Sequence, residues 1–127
     1  MKKNDKCLYL YSEFTDETEQ EKRAKLTECY DTYYFKKAVY AGNVSICDDI
    51  SDSYNYALCY AKVAYTEHNC LICEDIENRE YTAIVGTLTT KDACYLNCAG
   101  FIPYGVEHDK ACENIEDDEL REKCVGT

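Results

Sequence analysis

The chain has 127 residues, ten of them cysteine, and carries a formal charge of −11 at pH 7. That length supports one compact domain with a modest core, so residues 1–127 are read as a single domain. The acidic balance excludes nucleic acid and anionic membrane surfaces as partners, because such a surface repels phosphate, and no apolar run in the sequence approaches the roughly 18 residues of a membrane span.

The chain opens with MKKNDKCLYLYSEF, basic at first but without the hydrophobic stretch of a signal peptide. An even number of cysteines in a short chain reads as a disulfide framework, which persists in oxidising surroundings. An extracellular or cell-surface location is therefore expected, with the leader absent from this chain; the alternative is the cytoplasm of a hyperthermophile. Residues 16 to about 40 carry the first helix pattern. Asp16 with Glu19 resembles a capping box, Ala24, Leu26, Cys29, Tyr33 and Lys37 follow at helical steps, and Gly42 is the stop. Tyr30, Tyr33, Tyr34, Phe35 and Tyr40 crowd this helix, a candidate contact surface because tyrosine supplies rigid amphipathic area. Asn43-Val44-Ser45 is a glycosylation sequon, compatible with export.

Next comes CDDISDSYNYALC, residues 47–59, whose skeleton C-x2-I-x-D-x6-C returns as CENIEDDELREKC at 112–124. The cysteine and the Ile three residues on share one face of a helical turn, and Asp52 or Asp117 ends that turn and caps the helix after it. Tyr54, Ala57, Leu58, Ala61 and Tyr65 continue at the amphipathic period. Looser copies start at Cys7, with Leu10 and Ser12, and at Cys73, with Ile76 and Asn78. TAIVGTLTT, 82–90, is the one β-like stretch, read as a short strand or irregular connection, and a further helix ends near Ala99 before the loop around Pro103.

Each unit has a later cysteine, at 29, 59, 94 and 124, and Tyr30, Tyr60 and Tyr95 follow the first three. These tyrosines are expected to pack over the disulfides with their hydroxyls reaching water. Positions 7, 29, 47 and 59 map onto 73, 94, 112 and 124 by offsets of 66, 65, 65 and 65. Such periodicity reads as a tandem duplication, about 4–65 and 70–127, of stacked helical units. Cys70 and Cys98 lack counterparts in the first half, so they are expected to bond each other. In an antiparallel helix pair, facing residues keep a constant sum of positions: 168 for Cys70 with Cys98, 167 for Cys73 with Cys94. The expected bridges are therefore Cys7–Cys29, Cys47–Cys59, Cys70–Cys98, Cys73–Cys94 and Cys112–Cys124. The fold class is all-α: disulfide-stapled helical hairpins in two tandemly duplicated halves.

The units CDDISDSYNYALCYAKVA and CENIEDDELREKC resemble the short two-cysteine helical repeats, C-x2-I-x-D followed by C-Y, of uncharacterised, mostly exported or membrane-anchored archaeal proteins. That resemblance implies a fold and is silent on chemistry. Cys124 departs from it, being followed by Val125, and the units spanning 7–29 and 73–94 are some ten residues longer.

Among chemical readings, Cys70-x2-Cys73 with Cys94-x3-Cys98 has the outline of a four-thiolate zinc site, and thiolates also suit Cu(I). This thiolate metal protein is the alternative function, and a thiol–disulfide oxidoreductase is a weaker one because no βαβ pattern surrounds the CxxC. His68 and His108, the only histidines, read as solvated. Asp48, Asp49, Asp52, Glu113, Glu116, Asp117 and Asp118 lack EF-hand order and read as caps and solvated faces. No catalytic constellation and no cofactor follow. The expectation is a non-enzymatic, secreted or cell-surface structural or binding module whose partner is another protein or further copies of itself.

Overall fold

A computed structural model describes Cys7 and residues 18–83 and 86–125. Five α-helices, two 3-10 turns and one β-hairpin make up the described chain: α1 (Glu19–Ala41), η1 (Val44–Asp49), α2 (Ser53–Thr66), η2 (Cys70–Asp75), β1 (Glu80–Ala83), β2 (Gly86–Thr89), α3 (Thr90–Phe101), α4 (Val106–Cys112) and α5 (Asp118–Val125). The mostly helical class agrees with the sequence reading.

Helix α1 begins two residues later than expected. Its capping box is Thr18 with Glu21: the Thr18 hydroxyl accepts from Glu21 N at 3.1 Å, and the Glu21 carboxylate reaches back to Thr18 N. A hydroxyl at N-cap with Glu at N3 satisfies two orphan donors at once, whereas Glu19 lies in the first turn. Asp16 lies outside the described residues. Gly42 ends the helix in the left-handed region (φ 64), its N–H returning to Ala38 and Val39 carbonyls.

The C-x2-I element is one tight turn used three times. Ile50, Ile76 and Ile115 each donate their N–H to the carbonyl of Cys47, Cys73 and Cys112, at 2.9, 3.3 and 3.1 Å. That hydrogen bond aims cysteine and isoleucine the same way, and all six side chains are buried. The next polar residue then caps a helix. Asp52 Oδ2 accepts from Asn55 N and Asp117 Oδ1 from Leu120 N, both at 2.9 Å. Upstream, Asn43 and Asn69 stand four residues before Cys47 and Cys73 and start η1 and η2, accepting from Ser45 N and Leu71 N.

The segment after the Ile76 turn is longer. Between Asn78 and α3 the chain makes the antiparallel hairpin β1–β2, with Tyr81 opposite Leu88 and Glu80 opposite Thr89. The β-like stretch of the sequence is thus two strands, beginning at Glu80 rather than at 82. The hairpin closes on itself at its base: Thr90 N donates to Arg79 O at 2.8 Å, and the buried Thr90 hydroxyl donates to Glu77 O and accepts from Arg79 N. Asn78 consequently still reaches the helix start, its Oδ1 accepting from Lys91 N at 3.2 Å. This accounts for the extra length of the 73–94 unit. Helix α3 runs to Phe101, two residues past the expected end.

The core lies between α2 and α3, the most extensively packed pair. Ala57, Ala61 and Ala64 of α2 and Ala93 and Ala99 of α3 are buried and small, and Tyr56 and Tyr95 supply the bulk. Two buried carboxylates secure the segments after the Ile turns. Asp31 on α1 accepts from Ser51 N at 3.2 Å; Asp92 on α3 accepts from Glu116 N at 2.8 Å and Asp117 N at 3.2 Å. The 65-residue offset does not relate these two aspartates to each other.

Candidate functional site

All ten cysteines are joined in pairs: Cys7–Cys29, Cys47–Cys59, Cys70–Cys98, Cys73–Cys94 and Cys112–Cys124, with Cα separations of 5.5 to 6.0 Å, inside the range a disulfide accepts. Cys70–Cys98 and Cys73–Cys94 are adjacent rungs between η2 and α3. Closing loops of 12 to 28 residues, each bridge adds on the order of 3 kcal/mol by restricting the unfolded chain. In this state the sulfurs of Cys70, Cys73, Cys94 and Cys98 are bonded in twos and offer no thiolate to a metal.

Beside two bridges stands a polar contact that the sequence reading missed. Tyr60 and Tyr95, each directly after the second cysteine of a unit, do not send their hydroxyls to water. Both are buried; Tyr60 donates to Asp48 Oδ1 at 3.0 Å and Tyr95 to Glu74. Asp48 and Glu74 each directly follow the first cysteine of the same unit. Burial, and then the bonded carboxylate, pushes both phenols above the ordinary tyrosine range. Glu74 is held below the ordinary carboxylate range, first by the Tyr95 hydroxyl and then by Lys91, whose ammonium it holds at 3.1 Å and raises in turn. Acid after the first cysteine and tyrosine after the second was the available signal. Tyr56 extends the network, accepting from Glu77 N at 3.0 Å beneath the Arg79 guanidinium, 4.1 Å from its ring.

His108 is a second correction. It is 5 % exposed rather than solvated. Nδ1 lies 2.7 Å from Ala99 O near the end of α3, and Nε2 lies 2.8 Å from Cys124 O near the end of α5. Both partners are carbonyls that only accept, so the imidazolium alone satisfies both bonds by donating. Its pKa is raised, chiefly by the Cys124 carbonyl and further by Ala99 and Asp109, against a lowering by burial. Helix C-termini favour a cation, so the ring braces two helix ends. Tyr104 covers it at 4.6 Å between ring centroids. His108, Cys112 and Cys124 bring a ring nitrogen and two sulfurs within 4.8 Å, but those sulfurs bond each other. His68, by contrast, is exposed, with φ 56.

The aromatic group on α1 divides. Tyr30 stacks on Tyr34 with centroids 6.3 Å apart, and Tyr33 meets Tyr34 edge-on at 5.4 Å. Tyr34 and Phe35 lean on the core, while Tyr40 is 96 % exposed. Burial raises the Tyr34 phenol. Asn43 is exposed, its Oδ1 held by Ser45 N and by the Ser45 hydroxyl at 2.7 Å.

Clefts of ligand size open on the surface. One, about 500 Å³, lies between the α2–η2 corner and α4, walled by Tyr65, His68, Cys70, Ile102, Pro103 and Lys110. Another, about 710 Å³, lies between the hairpin and the start of α2, around Tyr54, Tyr81, Leu88 and Leu96. Among the described residues no helix is long and apolar enough to cross a membrane.

Comparison with known proteins adds nothing to this geometry: no family model, no curated protein and no solved structure matches the chain.

Proposed function

We propose that this chain is a secreted or cell-surface structural or binding module, whose product is a rigid shape displayed to a protein partner or to further copies of itself. The observation that carries the reading is the pairing of every cysteine. Such a chain folds only where thiols are oxidised, and five covalent clamps offset the modest core of a 127-residue, Trp-free protein. The two-cysteine repeats and the duplication of about 4–65 and 70–127 belong to the same reading. It is supported by the shared Cys–Ile turn, by the caps at Asp52 and Asp117, and by the resemblance to exported archaeal repeat proteins.

The contact surface in this proposal is the outer face of α1, where Tyr40 projects beyond the Tyr30, Tyr33 and Tyr34 group. Large, half-buried aromatics held by a helix cost little ordering on association. A photo-crosslinking residue in place of Tyr40 is expected to capture a protein or a second copy on intact cells, while the same residue in place of Glu119 on α5 captures neither. Equal capture from both positions, or a cytoplasmic protein whose thiols react with maleimide, would count against the proposal.

A further inference from the structure

The ten cysteines are not equally buried. Eight half-cystines are buried, seven of them with no exposed surface, and only Cys29 and Cys70 are half-buried. Cys70 is also the one cysteine that opens into the cleft between the α2–η2 corner and α4, whereas its partner Cys98 is fully enclosed on α3. From these differences in access we infer that Cys70–Cys98 is a thiol–disulfide exchange site, and that the cleft is the entry path for a low-molecular-weight thiolate.

Thiol–disulfide exchange requires the attacking thiolate to reach one sulfur along the S–S axis, and reach decides which bond opens. The cleft leaves Cys70 Sγ as the attacked atom and makes Cys98 Sγ the leaving group. Charge favours the same sulfur. In a protein of charge −11, an incoming anion is repelled almost everywhere, yet on the cleft wall the single carboxylate, Glu107, is met by the Lys110 ammonium at 3.8 Å, so the entry path carries no net negative charge. A volume of about 500 Å³ suits a small dithiol.

The step balances as follows. A dithiol thiolate bonds to Cys70 Sγ as the Cys70–Cys98 bond breaks, and Cys98 leaves with the electron pair and takes a proton. The reagent's second thiolate then attacks the sulfur that joins it to Cys70, releasing the Cys70 thiolate and a cyclic disulfide. The dithiol loses two electrons and two protons, and the protein disulfide gains both. The neighbouring rung, Cys73–Cys94, has no exposed sulfur and holds η2 on α3 meanwhile. The site is independent of where the protein resides.

The test is limited reduction of the native protein with dithiothreitol, trapping with N-ethylmaleimide, and peptide mapping without further reduction. The expected first product carries label on Cys70 and Cys98 alone. Labelling of Cys7 and Cys29 first, opening of all pairs together, or no opening before denaturation would each overturn the assignment. A Lys110→Glu variant, changed at an exposed side chain, is expected to open several-fold more slowly, with the difference shrinking in high salt. An unchanged rate would overturn the cleft as the entry path, and so would a thioredoxin-type protein opening the bond faster than dithiothreitol at equal thiol concentration.

Discussion

The hydroxyl of Tyr60 donates to Asp48 across the Cys47–Cys59 bridge, and Tyr95 donates to Glu74 across Cys73–Cys94 in the same relation. A disulfide brings two chain segments together, and the residue after each cysteine then meets its counterpart. Below about pH 9 these phenols are neutral in folded and unfolded chains alike and add no pH dependence. As pH rises through the ordinary tyrosine value of 10.0, the unfolded chain loses protons first, because the folded pKa values are raised, so stability falls. Alkaline titration of tyrosine absorbance is expected to show a late-ionising fraction that shrinks in Tyr60→Phe, Tyr95→Phe. Each single change should cost about 1 kcal/mol in denaturant unfolding at neutral pH.

His108 gives the same sign in a lower pH window. Its folded pKa lies above the ordinary 6.5, so its contribution is complete below that value and is lost as pH rises through the folded one. Asp109 and the Tyr104 ring face it, its nitrogens meet the Ala99 and Cys124 carbonyls, and the Cys112–Cys124 bridge lies beside it. A cation bracing helix ends is worth up to about 2 kcal/mol in a partly buried setting. The stability gap between the native protein and His108→Gln is expected to be widest in acid and to narrow as pH rises, measured by chemical unfolding at matched salt.

The hairpin is expendable to the frame. Arg79 and Thr90 already meet at its base, so replacing residues 80–89 with two glycines should leave five disulfides and the helical circular dichroism of the remaining chain. Asn78→Ala, by contrast, removes a cap and should cost about 1 kcal/mol. Loss of correct pairing in the shortened chain would mean that the hairpin guides folding.

Ile50 and Ile115, both 1 % exposed, occupy the matching positions of their turns. Truncation of either to Ala should cost about 2–5 kcal/mol, while Leu71→Ala, at a side chain 57 % exposed, should change little. Thermal unfolding of the oxidised proteins separates the two cases.

Much of this frame is legible in the sequence because its determinants are local. Gly42 stops α1, Asp52 and Asp117 cap their helices, and the Cys–Ile spacing is itself a turn. The rungs from η2 to α3 follow from the constant sum of antiparallel positions. What stayed hidden depends on contacts between distant segments. Nothing near His108 in sequence announces Ala99 and Cys124 as its partners, and nothing marks Asp31 and Asp92 as the carboxylates that catch the chain after the Ile50 and Ile115 turns. Asp48 reads as a solvated acid until the bridge carries a tyrosine to it.

The frame depends on which sulfurs are joined. Non-reducing digestion of the natively oxidised protein, with mass analysis of the linked peptides, is the most direct measurement. The predicted links are 7–29, 47–59, 70–98, 73–94 and 112–124, with no thiol open to alkylation. A link joining any cysteine up to 59 with one from 70 onward, or a native set of reactive thiols, would contradict it.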